Sequence, residues 1–363
     1  MSSLPVFYDA TPKLTLDGQD RAAYRQVMAA LVEDAVDSIA RCEILLENWQ
    51  ADQASGGGDY AFQDRSQVDF GMTVDLQLVP NQPISLFNGR VTALEAGYAL
   101  AAAPTLTVLA EDRLQDLRMT RRTRTFEKMT GEDVFRQIAS EHSLSPDVRA
   151  SGAQHESIAQ VNQSDLAFIR QLAGALGAEV WVKDRTLCVK PRAPHAQSQA
   201  NGGPIELTFG VNLSAFTVRA DLAHQCTELL VTGWDVSNKA AIAETAGASV
   251  ISSELNGGVS GPDLLKKKFG ERKAQLVHTI PMTTAQARGL AQAQFAERAR
   301  RFVVGTGRMN SGDPNLVVGA TVTLSNLGRL FDGDYTVVRV RHTFDRANGF
   351  QTEFDVERPA ISR

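Results

Sequence analysis

Histidines, cysteines and carboxylates are the side chains of this chain that could do acid–base, nucleophilic or metal chemistry. Its histidines are scattered and form neither an HExxH motif nor a close pair: His142, His155, His195, His224, His278 and His342. A metal-binding motif needs ligands at short, fixed spacing, so the sequence offers no anchor for a metal site. We therefore expect no catalytic residue, no metal ligand, no cofactor-binding residue and no cofactor.

The three cysteines are Cys42, Cys188 and Cys226, which lie far apart in the sequence and include no CxxC pair. This spacing predicts neither a zinc knuckle nor a disulfide framework. We expect three buried free thiols in a reducing compartment.

Four short motifs resemble catalytic signatures, and each has a structural explanation. Gly305–Asn310 lacks the third glycine of a dinucleotide-binding loop and is predicted to be a turn. Gly258–Gly261 misses the spacing of a nucleophile elbow. Glu141-His142 could form an acid–base pair, but a histidine near a helix C-terminus more often complements the helix dipole. The same dipole accounts for Glu132-Asp133 in the first turn of a helix.

Charge and composition exclude a further class of function. The 363 residues include 37 Lys plus Arg and 42 Asp plus Glu, a net charge of -5, so the clustered basic surface that binds nucleic acid is not expected. Two basic runs, 118–124 and 266–273, could bind an acidic partner but are typical of solvated loops. The three tryptophans, Trp49, Trp181 and Trp234, are expected to be core or interface anchors.

Neither export nor membrane insertion is indicated. The N-terminal segment has no basic residues ahead of an apolar stretch, as a secretory leader would. The most apolar stretch, Ala96–Pro104, is much shorter than the roughly 20 residues of a membrane helix. We expect a soluble protein made without a cleaved leader.

The elements that would position these residues begin with a β region. Apolar and polar residues alternate with a period of two, which predicts half-buried strands, at Leu14/Leu16, Cys42/Ile44/Leu46, Val74/Leu76/Leu78, Val91 and Leu106/Val108. We assign residues 1–117 to a first β-barrel module.

Helical signals follow. Thr130, with Glu132-Asp133 behind it, predicts a capped amphipathic helix that ends near His142. A second helix is predicted from Ser164 to Gly177, a glycine that suits a left-handed C-cap.

A hairpin and a linker complete this middle part. Val180 and Val182 are expected to face Leu187 and Val189 across the hairpin. Because 193–204 is rich in turn formers, we assign 118–204 to a middle α/β domain with a linker.

The last part of the chain returns to strands, predicted at 205–216, 227–234 and 317–356. Between them, the Gly- and Ser-rich segment 237–281 is predicted to be an exposed loop, followed by a helix that Thr283 or Thr284 caps. Ala287, Ala291, Phe295, Ala299 and Phe302 form the apolar stripe of that helix. We assign 205–237 and 302–363 to a second β-barrel module, and 238–301 to an insertion that packs with the middle domain.

The two β regions share an internal repeat. Phe70–Leu76 resembles Val318–Leu324, and Leu86–Val91 resembles Leu330–Tyr335, so both copies read G-x-T-V-x-L and then L-F-[ND]-G. We expect the Asn-Gly or Asp-Gly pair to form a tight turn with positive φ.

The fold class that follows is mainly β with α+β, with two related β-barrel modules and a composite α/β domain. We expect four residues of the repeat, Phe87, Gly89, Phe331 and Gly333, to determine the fold of the barrels rather than to contact partners.

Several motifs resemble those of phage late control gene D proteins and VgrG-type hubs. They are Thr123–Glu127, Asp133–Ala139, Gln163–Ala173 with Gly177, Val231–Asp235, and Gly333–Val337 with His342, Gly349, Phe350 and Thr352. The resemblance covers essentially the whole chain in the right order. Ile169 stands where the family has leucine, a conservative exchange.

The resemblance implies a non-enzymatic structural role at the centre of a contractile tail or injection-system baseplate. Such a hub is a homotrimer that joins a hexameric inner tube ring to a trimeric spike and contacts other baseplate proteins, but neither nucleic acid nor membrane. Two modules per chain, taken three times, give the six similar modules that a hexameric ring requires. Because VgrG proteins usually continue beyond this point and this chain ends at Arg363, the spike is expected on a separate polypeptide. Assembly is expected in the bacterial cytoplasm, before incorporation into the baseplate.

Two other functions stay open at this stage. A tail-associated cell-wall hydrolase would use the middle α/β domain and would require an acid cluster in a cleft. A receptor- or carbohydrate-binding β protein would bind its ligand alone and show no affinity for tube subunits. The sequence does not distinguish a phage, a tailocin, an extracellular injection system and a type VI apparatus.

Overall fold

The computed structural model describes residues 12–21, 24, 26–52, 57–62, 64–78, 83–150, 152–192, 204–236, 238–277 and 281–362. The chain divides into two compact units. The first unit comprises Met1–Gln115, Arg308–Val318 and Arg339–Phe354, and the second comprises Asp116–Gly307, Gly319–Val338 and Asp355–Arg363.

Strands dominate the N-terminal part of the first unit. They are β1 (Pro12–Leu16), β2 (Val27–Ala35), β3 (Arg41–Glu47), β4 (Gln50–Asp52), β5 (Gly57–Asp59), β6 (Thr73–Leu78), β7 (Ile84–Ala99) and β8 (Ala102–Glu111). Six of them form one antiparallel sheet in the order β1-β6-β7-β8-β3-β2, and β4 and β5 form a separate hairpin. The predicted alternation is confirmed, because every second residue of β3 and β6, and of β8 from Leu106 onward, is buried.

The core of the first unit lies on the inner face of that sheet. Its fully buried members include Cys42, Ile44 and Leu46 of β3 and Leu76 of β6. Phe344 and Phe350 from the C-terminal part of the same unit complete it. Burial of this many aliphatic and aromatic side chains is the main source of stability for a unit of this kind.

The second unit opens with an α/β segment. Its elements are α1 (Leu114–Arg118), β9 (Arg121–Met129), α2 (Gly131–Glu141), β10 (Ser145–Val148), β11 (His155–Ser164), α3 (Asp165–Ala175), β12 (Ala178–Lys183) and β13 (Thr186–Pro191). Strands β9 and β11 form one antiparallel pair, and β13 lies between β10 and β12 in a three-stranded sheet.

The capping signals that predicted α2 and α3 are confirmed. Thr130 and Asp133 form a reciprocal capping box at the start of α2, and Ser164 accepts a hydrogen bond from the Ala167 amide at the start of α3. Gly177, with φ of +66°, follows the C-cap of α3 as predicted. In the β12–β13 hairpin Val180 faces Val189 and Val182 faces Leu187, also as predicted.

The remaining elements belong to the last part of the chain. They are β14 (Ile205–Thr208), β15 (Leu213–Ala220), β16 (Glu228–Asp235), β17 (Ala240–Gly247), a 3-10 helix (Ala248–Glu254), β18 (Val259–Ser260), α4 (Gly261–Phe269), β19 (Lys273–Leu276), α5 (Thr284–Arg300), β20 (Val303–Met309), β21 (Thr321–Ser325), β22 (Gly333–Asp345), β23 (Gly349–Arg358) and β24 (Ala360–Ile361). The predicted linker at 193–204 lies, except for Pro204, outside the described residues.

The prediction of an exposed loop at 237–281 is wrong. This segment contributes β17 and β19 to the two sides of β16, and it contains α4. Its glycines and serines suggested a loop, but Ser260 is the N-cap of α4 and Gly270 follows its C-terminal turn. The strand predicted at 205–216 is likewise two strands, β14 and β15, separated by a turn.

Helix α5 covers the sheet of β16, β17 and β19. Thr283 is its N-cap, and four members of the predicted stripe, Ala287, Ala291, Phe295 and Ala299, are buried against β16 and β17. The fifth, Phe302, is buried but lies beyond the end of the helix. Small residues in this stripe let the helix approach its neighbours closely, and Gly177 lies where an added Cβ would be 3.3 Å from Ala293. The third helix was therefore predicted correctly in its start and its buried face.

The internal repeat extends to the complete order of six strands. The second set follows the order β14-β21-β22-β23-β20-β15, which matches β1-β6-β7-β8-β3-β2 strand for strand. Gly71 and Gly319 have φ of +79° and +81°. Their amides donate to the carbonyls of Val91 and Val337 at 2.8 and 2.9 Å. The mainly β fold class with two related modules is thereby confirmed, whereas the four domain boundaries stay predictions.

The second half of the repeat was matched two residues out of register. The structure places Gly89 opposite Val74 in the β6–β7 pair and Tyr335 opposite Val322 in the β21–β22 pair. Gly89 is therefore inside a strand and not in a positive-φ turn as predicted, whereas Gly333 does have φ of +126°.

An aromatic residue and a glycine exchange places between the two copies. Phe87 faces Leu76 in the first module, and Gly333 faces Leu324 at the equivalent place in the second. Gly89 likewise stands where the second module has Tyr335. Phe87 and Tyr335 are both buried, so each module has one aromatic ring and one glycine at this pair of positions. Sequence matching aligned the glycines with each other because it could not detect this exchange.

Candidate assembly surface

Acidic, basic and histidine side chains of the middle segment lie together in one charged cluster of the second unit. Asp165, which is 1% exposed, accepts hydrogen bonds from Arg124 at 3.0 Å and from Gln160 at 2.9 Å. Its other oxygen lies 2.8 Å from His142 Nε2. Glu141 accepts hydrogen bonds from Arg124 Nη1 at 2.7 Å and from Arg122 Nη1 at 2.9 Å. Arg121, Arg122 and Arg124 thus lie in a strand, not in a solvated loop, and Arg118 ends a helix. Arg122 and Arg124 belong to an ion-pair network.

The electrostatics of this cluster are those of a structural network. Burial disfavours the charged form of Asp165, but the hydrogen bonds from His142 and Gln160 and the charges of Arg124 and Arg122 outweigh it and lower its pKa. The pKa of Glu141 is lowered as well, so both carboxylates stay ionised near neutral pH and are paired with the arginines. His142 is oriented by a carboxylate, as in a catalytic dyad, but its Nε2 is the atom that the carboxylate holds. The sequence indicated each residue but not their convergence.

Replacing Asp165 with Asn is expected to cost about 3 kcal/mol of unfolding free energy at pH 7, since it leaves Arg122 and Arg124 without their buried carboxylate. Because the pKa is lowered in the folded state, this contribution is present above pH 3.8 and lost as the pH falls below it. Urea unfolding at pH 7 measures the loss. Glu132→Gln, which breaks the exposed pair with Arg136, should cost less than about 0.5 kcal/mol. Equal losses in the two variants would contradict a buried network.

The other candidate residues do not converge on a reaction centre. His155 Nδ1 lies 2.9 Å from Gln286, His224 is exposed, and His342 is buried with Nδ1 2.9 Å from Thr352 Oγ1. His195 and His278 lie outside the described residues. In the described part of the chain no group of three or more His, Cys, Asp or Glu side chains could hold a metal ion.

The cysteines are free and buried, as predicted. Desolvation raises the pKa of Cys42, Cys188 and Cys226, so none is an activated thiolate.

Two motifs have purely structural positions. The prediction of a turn at 305–310 is wrong, because Gly305 to Met309 lie in β20. Gly305 is required there, since a Cβ would lie 2.5 Å from the Phe216 ring. Ser260 of the GVSG motif donates to Asp263 Oδ2 at 2.6 Å and accepts from its amide at 3.1 Å, as a helix cap does.

A cleft of about 250 Å³ lies between the turn after the 3-10 helix and the C-terminal strand β24. Arg358 is its main cation, but the guanidinium donates to the carbonyls of Asp332 at 3.0 Å and Leu330 at 2.9 Å. It also lies 4.3 Å from the centre of the Tyr335 ring. Arg358 therefore holds the turn before β22, and the cleft contains no nucleophile paired with a base.

A continuous exposed apolar surface of the described residues is the tip of the β7–β8 hairpin. Residues 95–103 are all exposed, and after Glu95 they consist of alanine, glycine, Tyr98 and Leu100. Tyr98 is 68% exposed and Leu100 is fully exposed. An exposed apolar strand end of this length is typical of surfaces that contact a partner, because its exposure to water costs free energy. In the sequence, this segment stands out as an apolar run that is too short for a membrane helix. A strand-length apolar run without polar alternation was the signal that could have revealed the surface.

Aromatic rings extend this surface beside the hairpin. Tyr98 and Tyr60 meet edge to face at 5.9 Å between ring centres, and Tyr60 meets Trp49 in the same way. Trp49 is 38% and Trp234 is 49% exposed, so the core alternative is wrong for these two tryptophans. Trp181 is half-buried, and Lys190 lies 5.9 Å from its ring centre.

The second basic run is on a helix, not on a loop. Lys266, Lys267 and Lys268 occupy the last turn of α4, where positive charge complements the helix dipole. Lys273 is paired with Glu228 at 3.2 Å. Among the helices of the described residues, none has the length and apolar character needed to span a membrane.

The family model described as the Alg8 N-terminal domain matches residues 9–345. The chain belongs to this family. A search of curated proteins gives no match.

Solved structures share this family member's fold. A 43 kDa tail protein of prophage MuSo2 from Shewanella oneidensis is 12% identical, with a TM-score of 0.70 over 97% of this chain and 100% of that protein. A tail protein from Neisseria meningitidis MC58 is 12% identical, with a TM-score of 0.69 over 96% of this chain and 97% of that one. A component of the type VI secretion system of Escherichia coli is 12% identical, with a TM-score of 0.57 over 95% of this chain and 76% of that one. The fold is thus shared by phage tail and type VI secretion proteins.

Proposed function

We propose that the chain is the structural hub of a contractile tail or injection-system baseplate, in the manner of late control gene D proteins. In this role it is a homotrimer that joins a hexameric inner tube ring to a separate trimeric spike protein. The observation that carries the proposal is the repetition of the same six-strand order in a chain that shares the fold of phage tail proteins. Assembly takes place in the bacterial cytoplasm.

The repeat explains how three chains could serve a sixfold partner. Each chain offers two modules with the same strand order and equivalent glycine turns at Gly71 and Gly319. A closed threefold ring therefore presents six similar modules to a tube ring and three identical chains to a spike. A single module per chain would match only one of these two symmetries.

The charged and polar clusters favour a structural role over hydrolysis. In the described residues, Asp165 and Glu141 are committed to arginines, and Arg358 is committed to backbone carbonyls. A hydrolase needs a general acid and a base or nucleophile that face a shared cleft. The exposed apolar hairpin tip is instead the kind of surface that assembly buries.

The native mass of the purified chain, alone and mixed with tube and spike proteins from the same genome, tests the proposal. We expect a species near three times the 39.3 kDa of one chain, formed alone or with these partners. A chain that stays monomeric and binds neither partner would overturn the hub function. Peptidoglycan hydrolysis by the isolated chain, lost on mutation of one carboxylate, would establish the hydrolase instead.

A further inference from the structure

The first unit contains a strand pairing that links the two strand sets of the repeat. Residues Ala29–Ala35 of β2 pair antiparallel with Asp345–Arg339 of β22. Strand β2 ends the first set, and β22 is the third strand of the second set. As a result Val340, His342 and Phe344 of β22 are all buried.

The equivalent part of the first set has no such partner. Val91 and Val337 make the same hydrogen bonds to the glycine turns. Immediately afterwards β22 changes its buried side, and in β7 a bulge after Val91 brings Leu94 and Ala96 opposite the buried Val108 and Leu106. Leu94, Ala96 and Tyr98 therefore occupy the places of Val340, His342 and Phe344. In the described sheet β6 pairs with β7 only as far as Arg90, so the outer edge of 93–99 stays open.

The two equivalent aromatic residues differ in exposure, and the difference reflects the strand that is missing beside residues 93–99. Phe344 is 6% exposed, whereas Tyr98 is 68% exposed. The open edge also offers unpaired backbone groups, which natural proteins seldom leave on a long apolar strand. An additional strand on this edge would satisfy both the backbone and the tyrosine ring.

In the described sheet, the second set ends in a strand, β15, that has a neighbouring strand on one side only. Strand β15 follows β20 at the end of its set, as β2 follows β3, and in the described sheet it has no second neighbour. Most of its residues are exposed. Strand β15 is thus the repeat equivalent of β2, and its natural acceptor is the equivalent of β22, which is β7.

We propose that β15 of one copy of the chain pairs antiparallel with residues 93–99 of β7 in the next copy. The interface rests on the proposed function, because three such head-to-tail junctions close the ring of the trimeric hub. Pairings within a chain, through β2 and β22, then alternate with pairings between chains, through β15 and β7. The occupant of the apolar hairpin edge is therefore a second copy of this chain.

Charges support a particular register. Glu33 of β2 lies opposite Arg341 of β22 in the register, and its carboxylate contacts the neighbouring Arg41 and Arg339. Val27 and Leu213 are the first residues of β2 and β15, and both are buried. Aligning the strands at these residues gives Arg219 the place of Glu33, while Glu95 has the place of Arg341. The acidic and the basic residue exchange strands, but the two residues that face each other still have opposite sign, which favours direct cross-strand pairing.

The two charged residues are available for this contact. Glu95 and Arg219 are both exposed. Arg219 has an exposed carboxylate, that of Asp221, at 4.0 Å, which is a weak competitor.

Disulfide trapping in the full-length chain tests the register. In the variant with both Glu95→Cys and Arg219→Cys, the Cβ atoms of opposite residues would be about 5 Å apart, within reach of a disulfide after slight adjustment. We expect mild oxidation to give covalent dimers and trimers on a non-reducing gel, at a yield at least tenfold above either single variant. The native Cys42, Cys188 and Cys226 are buried and do not compete.

A control pair shifts the register along the same face. Glu95→Cys with Thr217→Cys places the sulfurs two residues apart diagonally and should give a several-fold lower yield. Equal yields for both pairs, or dimers from Glu95→Cys alone at the same level, would overturn the pairing. The experiment is run with tube and spike proteins present if trimers form only with them.

Charge reversal is a second test that needs no oxidation. Glu95→Arg alone should weaken trimer formation at low salt by about tenfold, and adding Arg219→Glu should restore it. A native trimer that shows neither crosslinks nor this rescue would overturn the interface and leave the hub function standing. A chain that is monomeric under every condition would overturn both.

Discussion

Replacing Gly89 with Val is expected to abolish folding of the first unit. Gly89 is buried inside β7 opposite Val74, and a Cβ there would overlap the carbonyl oxygen of Glu111 and lie 2.5 Å from the Phe87 ring. A contact with backbone cannot be relieved by a rotamer change, so β7 and β8 would have to separate. The expected cost exceeds about 4 kcal/mol, which is a large part of the stability of a whole domain.

Soluble yield and circular dichroism of the purified variant measure this effect. Gly289→Ala is the matched control, because an added Cβ in the middle of α5 meets nothing within 4 Å. Alanine has the higher helix propensity, so this control should gain up to about 1 kcal/mol. A Gly89→Val chain that folds with unchanged stability would show that β7 and β8 are not this close.

The exchange between the modules supplies a rescue. In the second module the corresponding positions hold Gly333 and Tyr335 instead of Phe87 and Gly89. The double variant Phe87→Gly with Gly89→Tyr removes the contact with the Phe87 ring but keeps the contact with the Glu111 carbonyl, so it should recover only the part of the folding loss that the ring causes. Failure of the double variant, together with failure of the single one, would mean that the modules differ in more than this pair.

Replacing Asp34 with Asn is expected to stabilise the protein above pH 7 by up to about 4 kcal/mol. Loss of water around its carboxyl, aided by the nearby charge of Asp112, raises the pKa of Asp34 to about 7. Between pH 3.8 and 7 the folded chain holds a proton that the unfolded chain has released. Stability from this residue is therefore full below pH 3.8 and is lost as the pH rises through 7.

Urea unfolding of both chains between pH 4 and 8.5 measures the difference. The two curves should coincide near pH 4 and diverge as the pH rises, with the asparagine variant the more stable. The difference between the chains isolates Asp34 from His342, whose pKa burial lowers to about 4. That histidine contributes stability above pH 6.5 that is lost as the pH falls towards 4.

Glu33→Gln on the same strand is the matched control, with the opposite sign. Burial disfavours its charge, but the hydrogen bond and charge of Arg41 and the charge of Arg339 outweigh this and lower the pKa of Glu33. Its contribution is present above pH 4.5 and lost below it, so the glutamine variant should be less stable at pH 7. A stabilised Glu33→Gln would show that any loss of negative charge on β2 has the same effect.

Local signals in the sequence were sufficient wherever neighbours along the chain decide the structure. Thr130, Ser164 and Thr283 predicted three helix starts because a cap is a contact over three residues. Alternation predicted β3, β6 and β8, since a half-buried strand has a period of two. The first motif of the repeat was found because Gly71 and Gly319 serve the same positive-φ turn.

The predictions from sequence were wrong where residues distant in the chain determine the local structure. Gly89 and Gly333 look alike in sequence, but strand pairing places Gly89 inside β7 and Gly333 at the start of β22, where φ is positive. Segment 237–281 has the composition of a loop, yet β16 supplies hydrogen-bond partners on both sides that make two of its parts strands. Composition cannot indicate a partner strand that lies elsewhere in the chain.

For the candidate assembly surface, the sequence by itself determined the absence of a recognisable catalytic motif and the existence of a repeat. Only the tertiary structure decided that Arg124, Glu141 and Asp165 neutralise one another and that Tyr98 is exposed where Phe344 is buried. The physical reason is that caps and periodicity are local, whereas charge pairing and strand-edge coverage depend on which distant segments share a sheet.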